Sequence, residues 1–247
     1  IAFGSCISVL RGSGVLSMVL DWLGTQNLDA LLLLGDTVYT DTPSLAFDDH
    51  LNAWRYYQRL WNVESFSRLA RNLSLLAIFD DHEIVNNYAA GPNTELFRSR
   101  MELWKSYVAL QNPPAWYGGE HAFGFGLRFG PLNLAVADAR TFKGTAEGLL
   151  GELQRAKIHG WLRNARAAAD REQRWPTELA ALASPSVVMP IHYTAKREGW
   201  WEHPGEFQSF VDLWRAEGDD SDVPFVILSG DIHTTDVVLS KVPGQRS

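Results

Sequence analysis

Short apolar runs alternate along this chain with longer stretches of helical period, and that alternation confines it to layered α/β architectures rather than bundles or pure sandwiches. The runs at 1–3, 30–34, 75–79, 123–129, 132–137, 187–191, 225–228 and 237–239 read as strands. Helical periodicity is clearest at 15–23, 47–61, 95–110, 152–169 and 206–216, the last entered at Pro204. Gly130-Pro131 marks a turn between two of the strands. None of the apolar runs is long enough to cross a bilayer. With 247 residues, 46% of them hydrophobic, and no repeat, low-complexity tract or linker, residues 1–247 read as a single domain with a sizeable core.

Composition narrows the partners. Twenty-nine acidic against 22 basic residues give a net charge of −7, which disfavours loose binding to nucleic acid or to anionic lipid. No basic groove with interleaved aromatics is visible. Cys6 is the only thiol, so an intramolecular disulfide is excluded. The ten Trp, scattered from Trp22 to Trp214, fit amphipathic packing. The chain opens at Ile1 inside a strand-like run with no leader pattern, which reads as a mature or trimmed chain. Asp219, Asp220 and Asp222 lack the Gly and distal Glu of a calcium loop and read as a solvated turn.

Six of the apolar runs end in polar residues able to hold a metal or an anion. Residues 1–3 lead into Gly4-Ser5-Cys6, 31–34 into Gly35-Asp36-Thr37-Val38-Tyr39, and 75–79 into Asp80-Asp81-His82-Glu83. Residues 132–137 lead into Asp138-Ala139-Arg140, 187–191 into His192, and 225–229 into Gly230-Asp231-Ile232-His233. In layered α/β folds the crevice beyond the carboxyl ends of the strands is where ligands bind, so these groups should converge there. A lone Asp after a strand is ordinarily a helix cap, and a lone Cys an inert core thiol. Caps do not explain Asp-x-His and Asp-Asp-His-Glu at separate strand ends of one chain. Gly35 and Gly230 fit as positions where backbone turns tightly beside a ligand.

Those segments resemble the calcineurin-like metallophosphoesterases, and within them the PhoD-like alkaline phosphatases and phosphodiesterases. The resemblance rests on Gly4-Ser5-Cys6, Gly35 to Tyr39, Asp80 to Glu83, Asp138 to Arg140, and Ser229 to His233, in that order across nearly the whole chain. It implies a four-layer αββα sandwich and a dinuclear metal centre that activates water to hydrolyse phosphomonoesters or phosphodiesters. The substrate would be a small-molecule phosphate ester. The resemblance also fits an exported setting, the compartment itself being open. Where many members carry Glu directly after the Tyr, this chain has Thr40 and then Asp41, and residues 187–201 depart from the family pattern.

Chemistry sorts the candidate ligands into two unlike sites. Cys6, Tyr39 and His233 suit a transition metal, and a phenolate favours a strongly charged ion. Asp81 and Asp231 with Asp36 form an all-oxygen set for calcium, magnesium or manganese. Asp36 as the bridge, and ferric iron with calcium as the pair, are implied by the resemblance; manganese, magnesium or zinc are alternatives. Five anionic ligands would then face a charge of about +5, close to neutrality. The corresponding His of the superfamily makes His82 the candidate general acid or phosphate contact, against a supporting role behind Asp81. Arg140 either holds a phosphoryl oxygen or pairs with Asp80 or Asp138. His192 is a further ligand or a pocket-lining residue. His50, His121, His159 and His203 read as surface or packing residues, and Asn86 and Asn87 as shaping the loop after Glu83. A different class of function, a degenerate relative that binds a sugar or lipid head group without catalysis, is the alternative.

Overall fold

The computed structural model describes residues 1–7, 13–41, 49–166, 178–189, 199–218 and 223–231. Two sheets and six α-helices make up the described architecture. In the first sheet β1 (Ala2–Gly4), β2 (Ala30–Leu34) and β3 (Ser74–Ile78) are parallel and in that order. In the second, β4 (Phe125–Phe129) runs antiparallel to β5 (Leu132–Val136), and β6 (Leu179–Ser184) and β7 (Phe225–Ser229) follow in parallel. Because all strands but β4 are parallel within their sheets, their carboxyl ends gather on common rims. The helices are α1 (Ser13–Leu23), α2 (Asp49–Asn62), α3 (Glu64–Asn72), α4 (Glu95–Tyr107), α5 (Glu152–Arg166) and α6 (Pro204–Gly218).

Burial explains the layers. All five residues of β2 are buried, as expected of a parallel strand covered on both faces. One apolar cluster joins this sheet and helices α1 to α4 to one face of the second sheet through Leu134, Val136, Ala181 and Ala183. A second cluster joins the opposite face, including Ala135 and Leu182, to α5 and α6. The result is the layered α/β sandwich expected from the sequence. Trp104 and Trp200 are fully buried, whereas Trp22 is exposed on α1 beside Val15, Met18 and Val19. No helix among the described residues is long and apolar enough to cross a membrane.

Three expectations are corrected. The β-branched run at 187–191 is not a strand over its described part, residues 187–189; the strand is β6, eight residues earlier in the chain. Its sequence, Leu-Ala-Ala-Leu-Ala-Ser, carries high helix propensity. Small side chains are nonetheless what a central strand needs when both faces are packed, and burial overrides propensity. Pro185 ends β6, and Val187 and Val188 are buried in the following loop through bonds from Trp200 N–H to Val187 O at 3.0 Å and from Val188 N–H to Ser229 Oγ at 3.2 Å. Second, the pattern that ends at Trp61 is followed by a separate helix, α3, which buries Phe66, Leu69 and Ala70. Third, the helix expected over 95–110 ends at Tyr107, followed by a short 3-10 turn at Ala109–Gln111. The strand expected at 237–239 and the acidic turn at 219–222 lie outside the described residues.

Enlarging a β6 alanine tests this packing. Ala183→Leu is expected to lower unfolding free energy by about 1–3 kcal/mol in urea titrations, the usual cost of overpacking a full core. Unchanged stability would mean the sheets are less closely apposed.

Candidate metal centre

The strand-end groups do meet. β1 delivers Cys6, β2 delivers Asp36 and Tyr39, β3 delivers Asp81 and His82, and β7 delivers Asp231. Cys6 Sγ lies 3.5 Å from Asp36 Oδ2 and 3.6 Å from the Asp231 carbonyl oxygen, and the Tyr39 hydroxyl lies 3.5 Å from the same Asp36 Oδ2. Ligand atoms of Asp36, Asp81 and His82 all fall within 4.8 Å of one another. Cys6, Tyr39, Asp36, Asp81 and His82 thus share one crevice, to which Asp231 brings its backbone. His233 and His192 lie outside the described residues.

Backbone geometry marks the same place. Among the described residues, the non-glycine positions with positive φ are Cys6 (58°), Asp36 (51°), Asn87 (59°) and Asp231 (81°). Such conformations cost about 1–3 kcal/mol each and persist only where surrounding contacts enforce them. Three belong to proposed ligands, and the fourth, Asn87, donates its N–H to Asp81 Oδ2 at 2.5 Å. The flanking glycines answer to space. A Cβ on Gly35, whose φ is 78°, would stand 2.5 Å from Asp80 Cβ, and one on Gly230 would stand 2.3 Å from the Leu34 carbonyl oxygen. The first packs the ends of β2 and β3 together within one sheet; the second, with Pro185 Cβ 3.2 Å from the same Gly35 position, brings the rims of the two sheets together.

Glu83 holds the loops in register. It is fully buried and accepts backbone N–H groups from Asp36 at 3.0 Å, Thr37 at 2.5 Å and Asp80 at 2.9 Å. One carboxylate thus ties the turn after β2 to the turn after β3. Burial raises its pKa to about 7, opposed by those same N–H donors. Thr40 adds a second tie, its N–H reaching the His82 carbonyl at 3.0 Å.

Asp36 carries the electrostatic load. Burial first, then the charges of Asp80, Glu83, Asp81 and Asp231, push its pKa up to about 10. Its Oδ1 is buried without a hydrogen-bond partner. A buried carboxylate among other carboxylates calls for a cation, and thiol, phenol and imidazole beside it supply a mixed donor set. Tyr39 is likewise shifted upward by burial and by Asp36, so its phenolate too needs a positive neighbour. These residues fit a bound metal.

Arg140 makes one of the ion pairs expected of it, the one with Asp80. Its side chain is fully buried, with Nε and Nη2 each 2.6 Å from Asp80 Oδ1 and Nη1 donating to the Tyr88 carbonyl at 3.2 Å. Asp138 does not pair with the guanidinium in this way. Its carboxylate instead accepts N–H groups from Arg140 at 2.9 Å and Thr141 at 3.0 Å, shaping the turn that aims Arg140 at Asp80. From there Nη2 lies 3.9 Å from Asp81 Oδ1.

Asp41 was not singled out from sequence. It holds His82 Nδ1 with both oxygens, at 2.9 and 3.0 Å, and accepts the Asn86 N–H at 2.7 Å. Burial works against protonation of His82, but the Asp41 hydrogen bond and the charges of Asp81 and Asp41 raise its pKa above the usual value. With Nδ1 engaged, Nε2 is the nitrogen left for the crevice. The signal was there: a carboxylate displaced to two residues after Tyr39. Of the remaining histidines, His121 packs edge-on against Phe97 at 5.9 Å, and burial lowers the pKa of His159 and His203.

No family model and no curated protein matches the chain. Among solved structures, one described as the structure of PhoD is similar, with a TM-score of 0.65 and 15% sequence identity over 94% of this chain and 50% of that one. The chain shares the fold of that structure. This chain spans half the length of that neighbour, and at such identity the likeness concerns the fold.

Arg140→Met separates support from substrate contact. Removing one partner of a buried ion pair should cost about 3–5 kcal/mol in urea unfolding. A variant as stable as the parent, with only a raised KM, would return Arg140 to the role of phosphoryl ligand.

Proposed function

We propose that this chain is a metal-dependent hydrolase of phosphate esters, acting on small phosphomonoesters or phosphodiesters. The observation that carries the reading is the convergence of Asp36, Asp81 and His82 within 4.8 Å, with Cys6 and Tyr39 on the same Asp36 carboxylate. Cys6 and Tyr39, with His233, would hold a transition metal such as ferric iron; Asp81 and Asp231 would hold calcium, magnesium or manganese, and Asp36 would bridge. A metal pair in such a site supplies a water of lowered pKa and neutralises charge on the phosphoryl oxygens.

The chain's own residues do the rest. Asp41 orients His82 and favours its protonated form, so that Nε2–H is placed to give a proton to the departing oxygen. Asn87 N–H and Arg140 hold Asp81 from behind. Glu83 keeps the Asp36 and Asp81 loops at a fixed separation, so the ligand geometry is set before substrate arrives.

The test begins with protein purified without chelator, which should contain metal, turn over nitrophenyl phosphate and show a visible charge-transfer band that Tyr39→Phe shifts or bleaches. His82→Ala should retain metal and lose about 10² to 10⁴-fold in turnover on an alkyl phosphate, with a smaller loss on a nitrophenyl ester, whose leaving group needs little protonation. Equal losses on both would make His82 a phosphoryl contact. Loss of metal would make it a ligand, and an inactive metal-loaded parent would remove the hydrolase reading.

A further inference from the structure

A second concavity lies between α5 and β4, with a volume of about 500 Å³, in the range of small-molecule sites. Gly160, Trp161 and Asn164 line it from α5 at the spacing of one helix face, and Trp116, Gly126 and Asn133 line it opposite. Asn133 precedes Asp138 by five residues, which places it about 16 Å back along the strand, away from the carboxyl-end crevice.

Two glycines give the cleft its shape, each for a different reason. A Cβ on Gly126 would stand 2.0 Å from both Nε1 and Cζ2 of Trp116, so an indole edge occupies the space a side chain would fill. Gly160 lies inside α5, where glycine weakens a helix, and nothing lies within 4 Å of where its Cβ would be. No neighbour requires a glycine there, and the missing side chain leaves room beside Trp161. The Trp116 and Trp161 indoles have centroids 6.4 Å apart and planes inclined at 32°. They are too close to admit a flat ring between them and form instead a tilted apolar wall.

Two neutral amides stand beside that wall. Trp161 donates its Nε1–H to Asn133 Oδ1 at 2.8 Å, which fixes Nδ2 as the donating end of that amide. Neither this Nδ2 nor the exposed Asn164 amide has a hydrogen-bond partner among the described residues. Amides both donate and accept, which matches hydroxyls, groups that do the same. An indole face presents negative π density, to which C–H groups are drawn. The ligand these walls suit therefore has a flat C–H face and a rim of hydroxyls. A pyranose with every ring substituent equatorial has both, because its axial positions carry only hydrogen. We propose that this cleft binds a neutral saccharide of glucose type, its ring laid against the Trp116 and Trp161 wall and its hydroxyls on Asn133 and Asn164. The site is independent of the phosphoesterase reading.

Titration of the intact protein with cellobiose, followed by Trp fluorescence, tests it with a ligand that carries no phosphate for the metal centre to engage. Cellobiose should give a saturable change and bind at least about tenfold tighter than sorbitol, an open-chain polyol that has the hydroxyls without the flat face. Affinity should fall about tenfold in Gly160→Leu, which fills the cleft while improving helix propensity, and also fall in Asn164→Ala, which removes an exposed amide. Melting temperatures of both variants should match the parent within a few degrees. If sorbitol binds as tightly, the ring face is not what is recognised. If adenosine binds tighter than cellobiose, and Gly160→Leu abolishes that binding, the cleft is a base site. Absence of saturable cellobiose binding, or undiminished binding in both variants, overturns the proposal.

Discussion

The burial of several carboxylates in one crevice is the constraint that organises this molecule. Asp36, Asp80, Asp81 and Glu83 are each 3% exposed or less, at the ends of two adjacent parallel strands. Like charges so placed are strongly unfavourable at low dielectric unless each is compensated. The compensation differs from residue to residue. Asp80 has the buried guanidinium of Arg140, and Glu83 has backbone N–H groups from two loops. Asp81 receives the N–H groups of His82 and Asn87. Asp36 has only the weak thiol and phenol contacts on Oδ2 and nothing on Oδ1, and its charge is the one left for a metal to balance.

From that constraint the surrounding architecture follows. Holding Cys6, Asp36 and Asp231 in left-handed backbone conformations is unfavourable, and the fold sustains it with closely apposed sheet rims and the Glu83 hub. Buried parallel strands fix where the ligands start. Asp138 and Thr141 shape the turn that sends Arg140 across from the second sheet to Asp80 in the first, so the Arg140–Asp80 ion pair ties the two halves of the site together. His82 stands at the open side of this arrangement, half-buried against Tyr39 with ring centroids 4.3 Å apart and steered by Asp41. The polar network thereby separates a buried cluster of carboxylates from a more exposed imidazole.

Much of this was legible in the sequence because ligand chemistry at strand ends is a local pattern. Cys6, Asp36, Tyr39, Asp81 and Asp231 follow apolar runs directly, and the parallel topology brings such positions together. What escaped depends on tertiary contact. Asp41 becomes a partner of His82 only when the β2 and β3 loops are juxtaposed, and Glu83 becomes a hub for the same reason. β6 was hidden because alanine favours helices in isolation, while a doubly covered strand selects for small size. Residues 187–189 mimic a strand through β-branched burial that in fact serves a loop beneath Trp200.

The central claim is that the fold concentrates negative charge for a metal to neutralise, and thermal unfolding of metal-free protein tests it most directly. In the metal-free state near neutral pH Asp36→Asn should unfold close to the parent's temperature, because a carboxyl whose pKa is pushed up to about 10 is already protonated there and the amide is its neutral counterpart. Addition of manganese or calcium should raise the parent's melting temperature, by about 2.7 kcal/mol of stability at a hundredfold excess over Kd, and should leave Asp36→Asn nearly unchanged. A parent indifferent to every divalent cation, or an Asp36→Asn variant stabilised as fully as the parent, would contradict the account.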